Sequence, residues 1–446
     1  MATIQHYPLT PGQLLIMYSE KYLPNGAHNI CVRVDIESET DESLLRQAVV
    51  LSTLRIPSLS LRIAKNGKSE FSQYICDAAP DPVEFLDASD VTGEALNSQM
   101  TKWGGSAFSS GLIDKQLYQV KVLRTGRGFS IFICVHHVIM DAFAVMSYVT
   151  YIDKLYYALS TNTPLPEPWK SPSAMIENEN LYYGSKRYFA DKKWFEDMYS
   201  RDFVFSPYSP KKGLSLKAKL ANPMTSKGCF TNMLIPADTV KKIDAAASQR
   251  KVSPGVLYML AIRSILAHNS NSDDVVFNVI MARRSTLLQK HSGCSIANAL
   301  PFRTNISNSL SFDEAISEFD LGLKGLYRHA SYSCEEAFAL LGNAGKGTQI
   351  TAADPVSVTY QPYFNMDDNN MNFTVQRIYP GHAQSKFYLT IMPCDSSGNM
   401  YGNYEHFLDV YSCRDIEEFH AFMLKFLDAG IANPEKSIKQ LVDECM

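Results

Sequence analysis

The 446-residue chain is 46% hydrophobic and 20% charged, so it can bury sizeable cores and is not disordered. Its formal net charge of -4 argues against nucleic acid as the natural partner, because phosphate binding calls for a basic footprint. The length suits two domains or one large one.

Taken in chain order, residues 28–36 alternate as a strand, with Ile30, Val32, Val34 and Ile36 on one face. Residues 41–54 follow as a helix that buries Leu44, Leu45, Ala48 and Val49. Two strands are expected at 117–123 and 129–137, joined by a turn over Thr125-Gly126-Arg127-Gly128. Beyond Asp141 the apolar spacing lengthens to Phe143, Met146, Val149 and Ile152, which predicts a helix over 142–159. Four prolines between Thr161 and Pro172 then interrupt regular structure. They place the domain boundary near there, giving lobes of 1–172 and 173–446.

In the second half, 240–251 reads as a helix, and Ser253-Pro254 opens a strongly apolar helix to about His268. Residues 275–280 form a buried strand, and Ser311-Phe312-Asp313-Glu314 is a capping box that starts a helix to about His329. Strands are expected near 355–360, 371–378, 386–392 and 400–405, with a final amphipathic helix over 414–428. Both halves are α+β mixtures without a residue-level repeat.

Nine widely spaced cysteines with no CxxC pair suit reduced thiols, and hence a cytoplasmic protein, better than a disulfide frame or a zinc site. The N-terminus lacks a basic region followed by an apolar core, so no secretory signal is expected. No apolar run approaches the ~18 residues of a membrane span.

The most informative stretch is His136-His137-Val138-Ile139-Met140-Asp141-Ala142, at the end of a buried strand. Adjacent strand side chains point to opposite faces, so the two histidines cannot share one metal ion, and no second Cys or His pair completes a tetrahedral site. His137 shares a face with Phe129, Ile131, Ile133 and Val135 and ends that apolar row where a substrate could be met. Histidine moves protons near neutral pH. From spacing alone, His137 can be a catalytic base or a satisfied structural histidine, and Asp141 a site residue or a plain N-cap.

The heptad resembles the HHxxxDG signature of nonribosomal peptide synthetase condensation domains and of the wider chloramphenicol-acetyltransferase-like acyltransferases. Thr10-Pro11-Gly12-Gln13-Leu14-Leu15-Ile16-Met17-Tyr18 is similar to the family's opening motif. Leu54 to Arg62 is similar to its second, without the usual leading Arg-His. Phe277 to Arg283 resembles the strand ending in Gly-Arg, and Gly293 to Arg303 the G-x-x-x-N-x-x-P-x-R motif. The resemblance covers nearly the whole chain in the correct order.

It implies two chloramphenicol-acetyltransferase-like lobes forming a V-shaped pseudo-dimer with a central tunnel, and a monomer. It implies a stand-alone enzyme that joins a carrier-bound acyl or aminoacyl thioester to an amine, free or carrier-bound, acting in trans. The cofactor would be none of its own; phosphopantetheine would arrive on acyl or peptidyl carrier proteins. His137 would position, and could deprotonate, the amine. Asp141 would be structural and paired with Arg283, His136 would support the loop, and the amide of Ala142 could stabilise an oxyanion. Asn298 and Ser357 would line the channel. Ala142 stands where the family carries Gly, which matters if that position needs positive φ or close backbone approach to the thioester, and Ala282 replaces the Gly before Arg283.

Two alternatives are an ester-forming or CoA-dependent acyltransferase of the same superfamily and a catalytically silent recruitment module. Gly342 to Thr348 lacks the Walker spacing, since Leu340 stands where Gly is required. Lys211, Lys212, Lys217 and Lys219 form a modest basic stretch, either a solvated loop or a dock for an acidic carrier protein.

Overall fold

The structure is a computed structural model that describes residues 4–20, 23–37, 39–67, 70–205, 207–210, 212–345, 354–361, 371–393 and 397–446. The chain divides into two units. The first comprises Met1–Ser185, Ala282–Ala297 and Phe364–His382; the second comprises Lys186–Met281, Asn298–Tyr363 and Ala383–Met446.

The first unit contains β1 (His6–Pro8), α1 (Pro11–Ser19), β2 (Asn29–Glu37), α2 (Glu42–Arg55), β3 (Leu61–Lys65), β4 (Phe71–Ile75), β5 (Glu84–Ala88), α3 (Gly93–Ser106), β6 (Tyr118–Thr125), β7 (Gly128–His136), α4 (Ala142–Thr161) and α5 (Ser173–Tyr182). Two later elements also belong to it, α10 (Leu287–His291) and β12 (Phe373–Ile378). Its main sheet has the order β12-β2-β7-β6-β5, beside a small sheet β1-β4-β3.

Central strand β7 shows why its sequence is apolar at nearly every position, Ser130 being a buried exception bonded to Asp35. Phe129, Ile131, Ile133 and Val135 enter a core with Leu45 and Val49 of α2 and Val145, Val149 and Ile152 of α4. Phe132 and Cys134 enter a separate core on the other face with Leu96 and Met100 of α3. A strand covered on both faces favours apolar side chains on both. Helix α3 was not apparent in the sequence, because only Leu96, Met100 and Gly104 of its residues are buried.

The second unit contains α6 (Lys186–Met198), α7 (Leu216–Leu220), β8 (Gly228–Ile235), α8 (Ala237–Gln249), α9 (Pro254–Ser270), β9 (Asp274–Met281), β10 (Asn298–Asn305), α11 (Phe312–Arg328), α12 (Cys334–Ala344), β11 (Ser357–Tyr360), β13 (Phe387–Pro393), β14 (Met400–Phe407), α13 (Cys413–Ala432) and α14 (Ile438–Cys445). Its sheet has the order β10-β9-β11-β13-β14-β8. Helix α9 is buried from Gly255 to Ala267, and Ser253 caps it with Pro254 at its first turn. The capping box at Ser311 and Glu314 forms as expected. The helix expected to be last is followed by α14.

The boundary falls after Ser185 rather than at 172, because the proline-rich stretch is a strap and not a linker. Arg55 of α2 donates to the Pro166 carbonyl at 2.6 Å, and the Trp169 amide donates to the Arg55 carbonyl at 2.9 Å. The Tyr151 hydroxyl of α4 donates to the Glu167 carbonyl at 3.1 Å, and the Trp169 side chain is buried. Of the basic stretch, Lys212 pairs with Asp415 and Lys217 with Asp409, while Lys211 lies outside the described residues. The segment tested against the Walker motif ends α12 at Ala344, and Lys346-Gly347-Thr348 lie outside the described residues.

Candidate active site

The histidine heptad lies within the first unit. Strand β7 ends at His136, the chain turns over 137–139, and Asp141 caps α4 by accepting the Ala144 amide at 3.0 Å. His136 is buried on the side of Phe108, ring to ring at 5.9 Å. Its Nδ1 accepts the Val138 amide at 3.2 Å, and its Nε2 lies 3.1 Å from Glu20 Oε1. It supports the turn.

His137 is half-buried. Its backbone amide donates to the His28 carbonyl at 2.8 Å, and its Nδ1 lies 3.2 Å from Ser295 Oγ. Burial lowers its pKa below the ordinary 6.5; the negative Asp141 nearby opposes that shift without cancelling it, and His136 adds to it. The imidazole is therefore neutral at pH 7, the form in which it can accept a proton. With Nδ1 engaged by Ser295, Nε2 is the nitrogen that can meet a substrate.

Asp141 is completely buried and is held by four donors. Beyond the Ala144 cap, its Oδ2 accepts Arg284 Nη2 at 2.6 Å and the amides of Ile296 and Ala297 at 3.0 Å each. The expected partner, Arg283, does not make this pair. It instead forms a two-pronged pair with Glu179 of α5, at 2.8 Å for each prong, and donates to the Ile296 carbonyl at 3.2 Å.

The reason is local. Arg283 has φ +55°, a left-handed backbone that costs a non-glycine residue about 1 kcal/mol and ends the alternation of β9. The next side chain, Arg284, is the one delivered to Asp141. Arg284 also donates to the carbonyls of Gln289, Gly293 and Cys294, so it gathers the whole 282–297 segment around the carboxylate. Gly293 has φ +81°, and a Cβ there would lie 1.9 Å from Ser58 Oγ, so a side chain cannot be accommodated without rearrangement.

Ala142 is the first residue of α4 and does not have positive φ, so the expected conformational penalty of replacing Gly does not arise. Ala282 does not have positive φ either. Asn298 and Ser357 belong to the second unit. Asn298 Nδ2 donates to the carbonyls of Ala330 at 2.9 Å and Tyr332 at 2.6 Å, and buried Ser357 Oγ accepts Asn278 Nδ2 at 3.2 Å. Both side chains are thus engaged inside that unit.

Sequence reasoning missed Glu20, His28, Glu179, Arg284 and Ser295. Ser295 lies in the Gly293–Arg303 motif, and the run Arg283-Arg284 offered the second arginine. Glu20, His28 and Glu179 carry no local signal. Among the described residues, no group of three or more His, Cys, Asp or Glu side chains could hold a metal ion. No helix among them is long and apolar enough to cross a membrane.

The Condensation domain profile matches residues 3–444. Surfactin synthase subunit 1 of Bacillus subtilis (strain 168) is 23% identical over 454 residues, covering 98% of this chain and 12% of that protein. The Dimodular nonribosomal peptide synthase of the same organism is 22% identical over 450 residues, covering 98% of this chain and 18% of that protein. The chain therefore spans less than a fifth of the length of these curated relatives.

Among solved structures, the first condensation domain of the calcium-dependent antibiotic synthetase, in complex with substrate analogue 2a, is similar with a TM-score of 0.81. It shares 16% identity and covers 98% of this chain and 99% of that one. VibH, an NRPS condensation enzyme, is similar with a TM-score of 0.78 and 15% identity, covering 96% of this chain and 100% of that one. The α+β fold is that of condensation domains, and the chain belongs to the condensation-domain family of nonribosomal-peptide-synthetase-type acyltransferases.

Proposed function

We propose that the chain catalyses amide formation between an acyl or aminoacyl thioester and an amine. The thioester is carried on the phosphopantetheine arm of an acyl or peptidyl carrier protein, which presents it in trans. The observation that carries this reading is the placement of the His137 imidazole, held through Nδ1 by Ser295 on a turn fixed by the Asp141–Arg284 pair.

The amine nitrogen attacks the thioester carbonyl carbon and forms the C–N bond. His137 Nε2 orients the amine and takes the proton that nitrogen must lose. The carbonyl oxygen becomes an oxyanion at the N-terminus of α4, where the Ala142 amide and the helix dipole favour negative charge. Collapse of this intermediate breaks the C–S bond, and the departing thiolate takes the proton from His137. Asp141 and Arg284 take no part in these transfers and keep the turn rigid.

The reading is tested by mixing the chain with a separately purified, acyl-loaded carrier protein and candidate amines. Thioester consumption and the product mass are followed. We expect amide product from the wild-type chain and loss of thioester consumption in His137→Ala. Consumption unchanged in that variant refutes the role given to His137. Ester product from alcohol acceptors alone would replace the amide reading.

A further inference from the structure

His137 is held on both sides by other histidines. Its amide donates to the His28 carbonyl at 2.8 Å. The residue after it donates through its own amide to His136 Nδ1 at 3.2 Å, and the Ile139 amide donates to the His136 carbonyl at 3.1 Å. Gln13 of α1 closes the turn by donating to the Val138 carbonyl at 2.8 Å.

Both supporting histidines converge on the end of α1. Glu20 Oε1 lies 3.1 Å from His136 Nε2 and 3.9 Å from His28 Nε2, and Ser19 Oγ lies 2.8 Å from His28 Nε2. The rings of His28 and His136 meet edge to face with centroids 6.1 Å apart. None of these groups enters the chemistry proposed above.

The hydrogen-bond pattern fixes a tautomer. An amide N–H aimed at His136 Nδ1 requires that nitrogen to carry a lone pair. The ring proton must then sit on Nε2, where Glu20 is the acceptor. Doubly protonated His136 would set N–H against N–H at Val138, and the opposite tautomer would do the same. A carboxylate that accepts one ring N–H and thereby fixes the other nitrogen is a general way of orienting a histidine.

Resting on the amide-forming role given to His137, we propose that Glu20 is a positioning residue for it. Glu20 holds His136 as the Nε2–H tautomer, so that Nδ1 accepts the Val138 amide and the turn presents the His137 imidazole at a fixed angle. His28 belongs to the same device, since it receives the His137 amide through its carbonyl, bonds Ser19 beside Glu20 and packs its ring edge-on against His136.

The test uses the full chain labelled with nitrogen-15 histidine. Long-range proton–nitrogen correlation spectra read the imidazole tautomers without any substrate, and His136→Gln assigns the His136 signals. We expect the Nε2–H pattern for His136 in the wild type and in Glu20→Gln, whose amide oxygen can still accept. Glu20→Met, of similar length but with no acceptor, is expected to give mixed tautomers while keeping the wild-type melting profile.

In the amide-forming assay, Glu20→Met should lower kcat by about 10- to 100-fold, the scale of a small misplacement, with KM within about twofold. Glu20→Gln should recover most of that loss. A wild-type His136 that carries its proton on Nδ1 overturns the proposal, as does a Glu20→Met variant with an unchanged tautomer pattern or unchanged kcat. Should the wild-type chain transfer no acyl group, the amide-forming reading fails, and the tautomer spectra still decide whether Glu20 sets His136.

Discussion

Replacing Arg284 by Met removes the partner of a carboxylate with no solvent exposure. Breaking a buried ion pair by deleting one member costs about 3–5 kcal/mol, because the other charge stays buried. The amides of Ile296, Ala297 and Ala144 remain to solvate Asp141, which points to the lower end, about 3 kcal/mol. The equivalent Arg283→Met loses a pair with Glu179 whose side chains are 11% and 14% exposed. That pair lies nearer the surface, and its loss should cost about 1 kcal/mol. Melting of a unit of roughly 200 residues shifts by roughly 2–4 °C per kcal/mol, so we expect a fall of about 10 °C for Arg284→Met and about 3 °C for Arg283→Met.

Scanning calorimetry of the two variants and the wild type measures this directly. Asp141→Asn combined with Arg284→Met should recover part of the loss, since the stranded charge is then gone. If Arg283→Met proves as damaging as Arg284→Met, or the double variant is worse than the sum of its parts, the assignment of Arg284 as the partner of Asp141 is wrong.

Ser295→Ala should lower kcat about tenfold in the amide-forming assay with little change in KM, because the substrate still binds but the imidazole is no longer held. His28 has its pKa lowered from 6.5 to about 3, chiefly by burial and then by the charges of His136 and His137. As pH falls below 6.5 the unfolded chain takes up that proton first. Stability should therefore decline between pH 6.5 and about 3, by at most about 1.4 kcal/mol per pH unit, and be unaffected above it. His28→Gln should flatten this part of a urea-midpoint curve against pH; an unchanged slope would show that the decline comes from other groups. Ala142→Gly should leave kcat within about twofold and cost less than about 1 kcal/mol, since the position is ordinary helix. A large gain in rate from the glycine would mean that the methyl group obstructs the thioester.

Much of the fold was legible because its central elements are strongly periodic or strongly apolar. Strand β7, α4, α9 and α11 fall close to where the residue pattern puts them. Helices α5 and α6 did not show, because α5 buries only Met175 and Ile176 and α6 only Asp191 and Phe195. Parity along β7 carries as far as His136, which meets Phe108 on the α3 side; the strand ends there, and His137 lies in the turn. Parity could not carry past β9, where one left-handed residue passed the Asp141 contact from Arg283 to Arg284. Glu20 and His28 were invisible for another reason. The antiparallel pairing of β2 with β7, which sets Asn29 opposite His136, is what brings them there.

The first unit is not a contiguous piece of polypeptide. Asp141 precedes its arginine by 143 residues, and β12, an edge strand of the same sheet, follows later still. At roughly 5–20 residues per second, a ribosome needs about 7–30 s to make the chain between that aspartate and its partner. During that interval the nascent unit holds a carboxylate meant for burial with nothing to neutralise it, and a sheet whose edge at β2 is open. The unit is therefore expected to stay loose until the second half emerges, and a fragment ending near Ser185 should be open to proteases even though it contains both histidines.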